Sequence, residues 1–293
     1  MVGEYYKAYN PRSMQKYKLG RRLEQSFKKV NSIYRFVEEI DSDILTRYSD
    51  SFRKRLSDVV TEKKRNIGVD TFTNMIKDLA YLKDNPDLVS LIVSYFLHEL
   101  EIEIDFEDID SNIEVSSFND VRELRRLGYY LAKSCADILG HEKGVEFWKK
   151  IVALQHRDWK LGVEAAMKEQ ANSELKKVTM SQRSEGMIKN WIDYGLADFA
   201  RLIIDDNKVH FRFDSCLTPA TMKELNDPEW AYLSSCYVTD APEYNYGPQR
   251  LRRTQTLHNA TFCDEFYWDP SAYDNPEQPS LEFTKKLGID KSG

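Results

Sequence analysis

The chain contains no uninterrupted apolar run near the roughly 20 residues that a membrane-spanning helix requires, so no transmembrane segment is expected. Its opening residues, MVGEYYKAYNPR, lack the apolar core of a secretory signal, and a cytoplasmic protein is expected. Cysteine is scarce. Cys135, Cys216, Cys236 and Cys263 are the only four, and no two form a Cys-x-x-Cys pair. That spacing gives a zinc ribbon or finger no support, and without export the four are expected as thiols rather than disulfides. With 9 prolines and 12 glycines in 293 residues, the chain has neither the composition of a flexible linker nor that of a low-complexity segment. Positive charge is not in excess either. The 42 basic and 48 acidic residues give −6, so no general nucleic-acid footprint is expected.

What remains is a globular composition, 41% hydrophobic and 31% charged, long enough for one large domain or two smaller ones. Through the first hundred residues the apolar positions recur every three or four. Leu19, Leu23, Phe27, Val30, Ile33, Tyr34 and Val37 form one stripe within residues 13–40. Helices are also predicted in DSDILTRYSDSFRKRLSDVV, VDTFTNMIKDLAYL and PDLVSLIVSYFLHEL, the last with Pro86 in its first turn. Basic side chains such as Arg21, Arg22, Lys28 and Lys29 are interleaved with acids and no aromatic ladder, the pattern of a solvated helix face. EIEIDFEDIDSN, residues 101–112, alternates and then turns polar, as an edge strand or a linker. The domain boundary is placed here, giving residues 1–112 and 113–293.

DVRELRRLGYYLAKSCADILG returns to a helical stripe that includes Cys135, a buried structural thiol by position. The next helical stretch holds His141 and His156 with no second ligand at useful spacing. Near Phe199 the period becomes two. ARLIIDDNKVHFRFDSC reads as a hairpin around Asp206-Asn207, with Val209, Phe211 and Phe213 on one face and His210, Arg212, Asp214 and Cys216 on the other. In CLTPATMKELNDPEWAYLSSCYVTDA, Thr218 is expected to cap a helix, Asp227-Pro228 to restart it, and Cys236 to lie near its end. RRTQTLHNATFCDEFYWD reads as two strands around a bend at His258-Asn259-Ala260-Thr261. The polar tail after Asp269 is expected to wrap or hang loose. The predicted class is α+β: an N-terminal helical domain followed by a helix plus antiparallel-sheet domain.

Cys216, Cys236 with Asp240, and His258 with Cys263 all fall at edges of that strand–helix–strand unit, where an antiparallel sheet would bring them together. A cysteine closing a strand, Cys-x-x-x-Asp (Cys236 to Asp240), Arg-Thr-x-Thr-Leu (Arg253 to Leu257) and Cys-Asp-x-Phe (Cys263 to Phe266) together resemble the L-2-amino-thiazoline-4-carboxylic acid hydrolase family over about residues 115–270. The family more often shows Cys-x-x-Asp and a glycine in the last turn, where this chain has Cys-x-x-x-Asp and His258-Asn259.

The resemblance implies hydrolytic opening of a cyclic isothiourea; no cofactor and no metal are expected. Cys216, Cys236, Asp240, His258 and Cys263 are the catalytic candidates; Arg252, Arg253, Thr256 and Asn259 are the substrate-binding ones. A thiolate is a suitable nucleophile at the amidine carbon provided a cation, helix N-terminus or base lowers its pKa. Cys216 before a helix start and Cys263 opposite His258 meet that requirement on paper. Two further readings of the same residues are a ring-forming or rearranging enzyme and a non-catalytic small-ligand or metal-binding module. The partner is a small-molecule substrate, with the N-terminal helices available for a homodimer or a partner protein.

Overall fold

The computed structural model describes residues 3–60, 69–103, 109–171 and 178–288. From the N-terminus these form β1 (Glu4–Tyr6), β2 (Met14–Lys18), α1 (Leu19–Ile40), α2 (Leu45–Val59), α3 (Thr73–Ile76), α4 (Pro86–Leu100), β3 (Asn112–Ser116), α5 (Ser117–Leu139) and α6 (His141–Ala171). There follow α7 (Met180–Tyr194), β4 (Phe199–Asp205), β5 (Lys208–Phe213), α8 (Leu217–Met222), α9 (Pro228–Leu233), α10 (Tyr237–Asp240), β6 (Arg250–Arg252), β7 (Cys263–Trp268) and α11 (Leu281–Thr284). Helix makes up 57% and strand 15%, with helices gathered in the N-terminal region and an antiparallel sheet in the C-terminal one, which is the α+β class. Among the described residues no helix is long and apolar enough to cross a membrane.

Two compact units are present. One comprises residues 14–152 with Leu233–Ser235; the other comprises residues 1–13, 153–232 and 236–293. The division therefore falls at Val152–Ala153 rather than near residue 112. The reason lies in pairing: β3 is antiparallel to β2, with Tyr17 opposite Ile113, and α5 packs on α1, α2 and α4. Of residues 101–112, the segment 104–108 lies outside the described residues, and the described remainder up to Ser111 contains no strand.

In the helical unit the predicted stripe of α1 is buried along its length, Leu19, Leu23, Phe27, Val30 and Val37 being wholly inaccessible. Met14–Lys18, expected as the first turn of this helix, alternates half-buried with exposed residues and is a strand instead. Pro86 opens α4 as predicted, and VDTFTNMIKDLAYL shortens to one helical turn within a run of turns. Cys135 is buried on α5, and burial pushes its thiol well up. Charge also enters this core: Arg22 reaches Asp120 and Glu123, both at 2.8 Å.

The other unit is built on a five-stranded antiparallel sheet in the order β1-β4-β5-β7-β6. The hairpin at Asp206-Asn207 is as predicted, with the Asn207 N–H donating to Asp205 Oδ1 at 2.8 Å. Phe199, Val209, Phe211 and Phe213 cluster on the face covered by α7, whose Trp191 stands edge-on to three of them at 5.1–5.2 Å between ring centroids. A capping box, Thr179 with Gln182, starts that helix, and Gly195 at φ 68° ends it.

The opposite face is closed by the C-terminal tail, which wraps rather than hangs loose. Arg212 donates to the Lys285 carbonyl at 2.6 Å, and Leu287 packs on Ala200 and Leu202. His210 is fully buried there. Thr284 gives its hydroxyl proton to the Ser280 carbonyl at 3.0 Å, so the 2.7 Å contact with His210 Nε2 has the imidazole N–H as donor. Nδ1 has no hydrogen-bond partner among the described residues.

Burial lowers the His210 pKa to about 4, from an ordinary 6.5. A histidine held neutral in the folded chain stabilises it fully above pH 6.5, and that contribution is lost as pH falls toward 4. The span corresponds to about 3 kcal/mol. Denaturant unfolding at pH 7 and pH 4.5 should therefore show a steeper acid loss for the native chain than for His210→Gln. Equal losses would mean that the imidazole accepts its proton in the folded state.

Candidate functional site

Three segments of the sheet unit meet at one guanidinium. Arg253 follows β6 directly and is only 5% exposed at its side chain. Its Nη1 donates to Asp240 Oδ1 at 2.6 Å, to Thr239 Oγ1 at 3.2 Å and to the Cys236 carbonyl at 3.4 Å, while Nη2 donates to Glu265 Oε1. Asp240 ends α10. Glu265 lies on β7 between Cys263 and Tyr267, and strand alternation puts all three side chains on one face. Each carboxylate has a second donor: Tyr232 to Asp240 Oδ2 at 3.0 Å, and Tyr267 to Glu265 Oε2 at 2.7 Å. Burial works against the Arg253 charge, but Glu265 and Asp240 outweigh it and keep the guanidinium protonated. For Asp240 the balance goes the other way. Burial raises its pKa more than Arg253 and Tyr232 lower it.

The hairpin that was expected to bend at His258 is built differently. Its first strand stops at Arg252, and the bend becomes a ten-residue loop, 253–262, before β7 begins at Cys263. Buried Asp264 explains the change. Its Oδ1 accepts the backbone N–H groups of Thr254 and Gln255 at 3.0 and 2.8 Å, taking donors that a strand ladder would use. Within the loop Asn259 Oδ1 accepts from the Thr256 N–H at 3.3 Å, and the Thr256 carbonyl accepts from Asn259 and Ala260. Thr256 and Asn259 thus shape the turn. Arg252 is also engaged elsewhere, donating to the Pro276 carbonyl at 2.8 Å and stacking over Trp268. The two-pronged contact expected between an arginine and a substrate carboxylate is made by Arg253 to Asp240 and Glu265 of its own chain.

The cysteines differ in environment. Cys216 rather than Thr218 takes the cap position of α8, and it packs on the apolar cluster that contains Cys263. Cys236 precedes α10 instead of ending a helix, one turn before Asp240, whose N–H donates to its carbonyl at 3.3 Å. Negative charge on either would be felt at Cys263, so the three sulfurs are electrostatic neighbours. Burial, then the Glu265 carboxylate, push the Cys263 thiol well above its ordinary range, opposite to what a nucleophile needs. His258 stands edge-on to Tyr232, 6.4 Å between centroids, which places it beside the phenol that serves Asp240. Among the described residues no three His, Cys, Asp or Glu side chains are grouped to hold a metal ion.

One residue of this neighbourhood escaped the sequence. His156 is 1% exposed, with Nε2 at 2.6 Å from the Val238 carbonyl and Nδ1 at 2.9 Å from Tyr246 Oη. A carbonyl can only accept, so Nε2 carries the proton and the tyrosine donates to Nδ1. Burial lowers the His156 pKa and favours this neutral form. Trp159, Tyr244 and Tyr246 surround the ring. The histidine thereby pins α10 midway between Cys236 and Asp240. The only signal in the sequence was the aromatic pair in APEYNYGP, too distant from His156 along the chain to be connected with it.

Compared with known proteins, the chain matches no family model, no curated protein and no solved structure.

The contrast among thiols is directly measurable. Iodoacetamide on the native chain, followed by mass spectrometry, should modify Cys236 at least ten times faster than Cys263 or Cys135. Equal rates at Cys236 and Cys263 would restore Cys263 as a candidate nucleophile.

Proposed function

We propose that the chain is an enzyme acting on a small nitrogen-containing ring or a C–N/C–S bond, of the kind that the resemblance to the thiazoline hydrolases implies. The observation that supports it is the convergence on Arg253. The motifs Cys236 to Asp240, Arg253 to Leu257 and Cys263 to Phe266 carry the resemblance, and Asp240, Arg253 and the Glu265 within the last of them meet around one buried cation. Two acids to one guanidinium make an acid-rich cluster that suits a cationic amidine or isothiourea.

The chemistry divides among these residues as follows. The Cys236 sulfur attacks the amidine carbon, the ring C–S bond breaks, and the departing sulfur takes a proton from Asp240. Water then adds to the same carbon, Asp240 takes back a proton, and Cys236 leaves, so one water is consumed overall. For 2-aminothiazoline-4-carboxylate the product is N-carbamoyl-L-cysteine. A carboxyl with raised pKa suits such two-way proton transfer. Arg253 offsets the negative charge of the thiolate and carboxylate. His258, beside Tyr232, is placed to influence the same proton.

The assay is turnover of 2-aminothiazoline-4-carboxylate first and of related small rings next. Cys236→Ala and Asp240→Asn should each lower kcat/KM by ~10²-fold or more, in the range typical of lost nucleophilic or acid–base catalysis. Cys263→Ala should stay within about threefold of the native rate, since that thiol is protonated. Asp240 enters the first step protonated, so kcat/KM should fall as pH rises through its raised pKa, with that limb above the ordinary carboxylate range. No turnover of any such ring, or full activity in Cys236→Ala, would defeat the proposal.

A further inference from the structure

The helical unit holds a second charged cluster, in which cations outnumber acids. Arg22 is committed to Asp120 and Glu123, with Nε to Asp120 Oδ1 and Nη2 to Glu123 Oε2 both at 2.8 Å. The other oxygens of these acids are taken as well, Asp120 Oδ2 by the Tyr17 hydroxyl at 3.0 Å and Glu123 Oε1 by Ser26 at 2.9 Å. Lys29, one turn beyond Ser26 on α1, bonds only a neutral group there, the Leu124 carbonyl at 2.8 Å. The next residue of α5 is Arg125, whose Nε is buried with no hydrogen-bond partner among the described residues. Gly128 lets the amine lie flat against α5, because a Cβ at that position would sit 3.0 Å from Lys29 Nζ.

We propose that Lys29 and Arg125, facing each other from α1 and α5, form a binding site for a tetrahedral oxyanion such as sulfate or a phosphoryl group. The ammonium has protons beyond the one given to Leu124, and the guanidinium offers Nε and its fork from another direction. An acceptor with oxygens pointing several ways satisfies both. Burial first, then the Arg125 charge, hold the Lys29 pKa down to about 7 against the opposing pull of Glu123, whose oxygens are already engaged by Arg22 and Ser26. Both residues are half-buried, with the Arg125 Nε itself inaccessible, so the site lies at the edge of the α1–α5 packing.

Equilibrium dialysis of the full chain against labelled sulfate, at ionic strength fixed with sodium chloride, should show one saturable site. Arg125→Gln should weaken it at least tenfold. Gly128→Ala, which displaces the ammonium, should weaken it too, and Lys29→Arg should retain it. Arg125 makes none of the buried pairs of Arg22, so its variant keeps the core and decides the matter even if a Lys29 variant fails to fold. Phenyl phosphate in competition separates the two sources of such a group: displacement at lower concentration than inorganic phosphate points to an esterified ligand, and parity to the free ion. Absence of saturable sulfate binding, or equal binding by Arg125→Gln, would overturn the site.

Discussion

A guanidinium removed from water has to find carboxylates, and around Arg253 that requirement organises the end of the sheet unit. Leaving such a charge without a partner costs about 3–5 kcal/mol, so the groups that meet it cannot drift independently. Asp240 comes from a single helical turn, too short to be stable alone. It is tied to Arg253 on one side and, through the Val238 carbonyl, to His156 on the other. Glu265 comes from a central part of the sheet, where its neighbours are fixed by ladder pairing with β5. The rigid strand and the otherwise unsupported turn are joined by one side chain.

The same burial that fixes the cluster sorts its chemistry. A thiol facing apolar side chains and a carboxylate keeps its proton, which is the state of Cys263. A carboxyl that is buried yet hydrogen-bonded by a phenol and a guanidinium sits above its ordinary range without becoming permanently neutral, which is the state of Asp240. Proximity among Cys216, Cys236 and Cys263 therefore does not make them equivalent. Cys236 is half-buried, and its backbone carbonyl accepts from the Arg253 guanidinium one turn before Asp240.

In the helical unit charge is buried by a different arrangement. Arg22 satisfies two acids of α5, and a third acid, Glu99, meets Arg122 at 2.9 Å. Such pairs add little stability over apolar packing but specify which helices pack together and in what register. Here they link α1 and α4 to α5, and with the β2–β3 ladder they explain why residues 113–152 belong with the N-terminal helices.

Local pattern alone determined much of this protein. The stripe from Leu19 to Val37, Pro86 opening a helix, the buried Cys135 and the hairpin at Asp206-Asn207 follow from periodicity and turn chemistry, which act over a few residues. Strand and helix edges raised the expectation that Cys216, Cys236, Asp240, His258 and Cys263 converge; the guanidinium of Arg253 joining Asp240 to Glu265 was not part of it. What tertiary structure decided were partners far apart in the chain: β2 as a strand because β3 lies beside it, the loop after Arg252 because Asp264 captures its amides, Arg253 turned inward because two acids await it, and His156 drawn into the neighbourhood by Val238 and Tyr246. None of these has a local signature, because a hydrogen bond or ion pair between distant residues leaves no periodic trace in either segment.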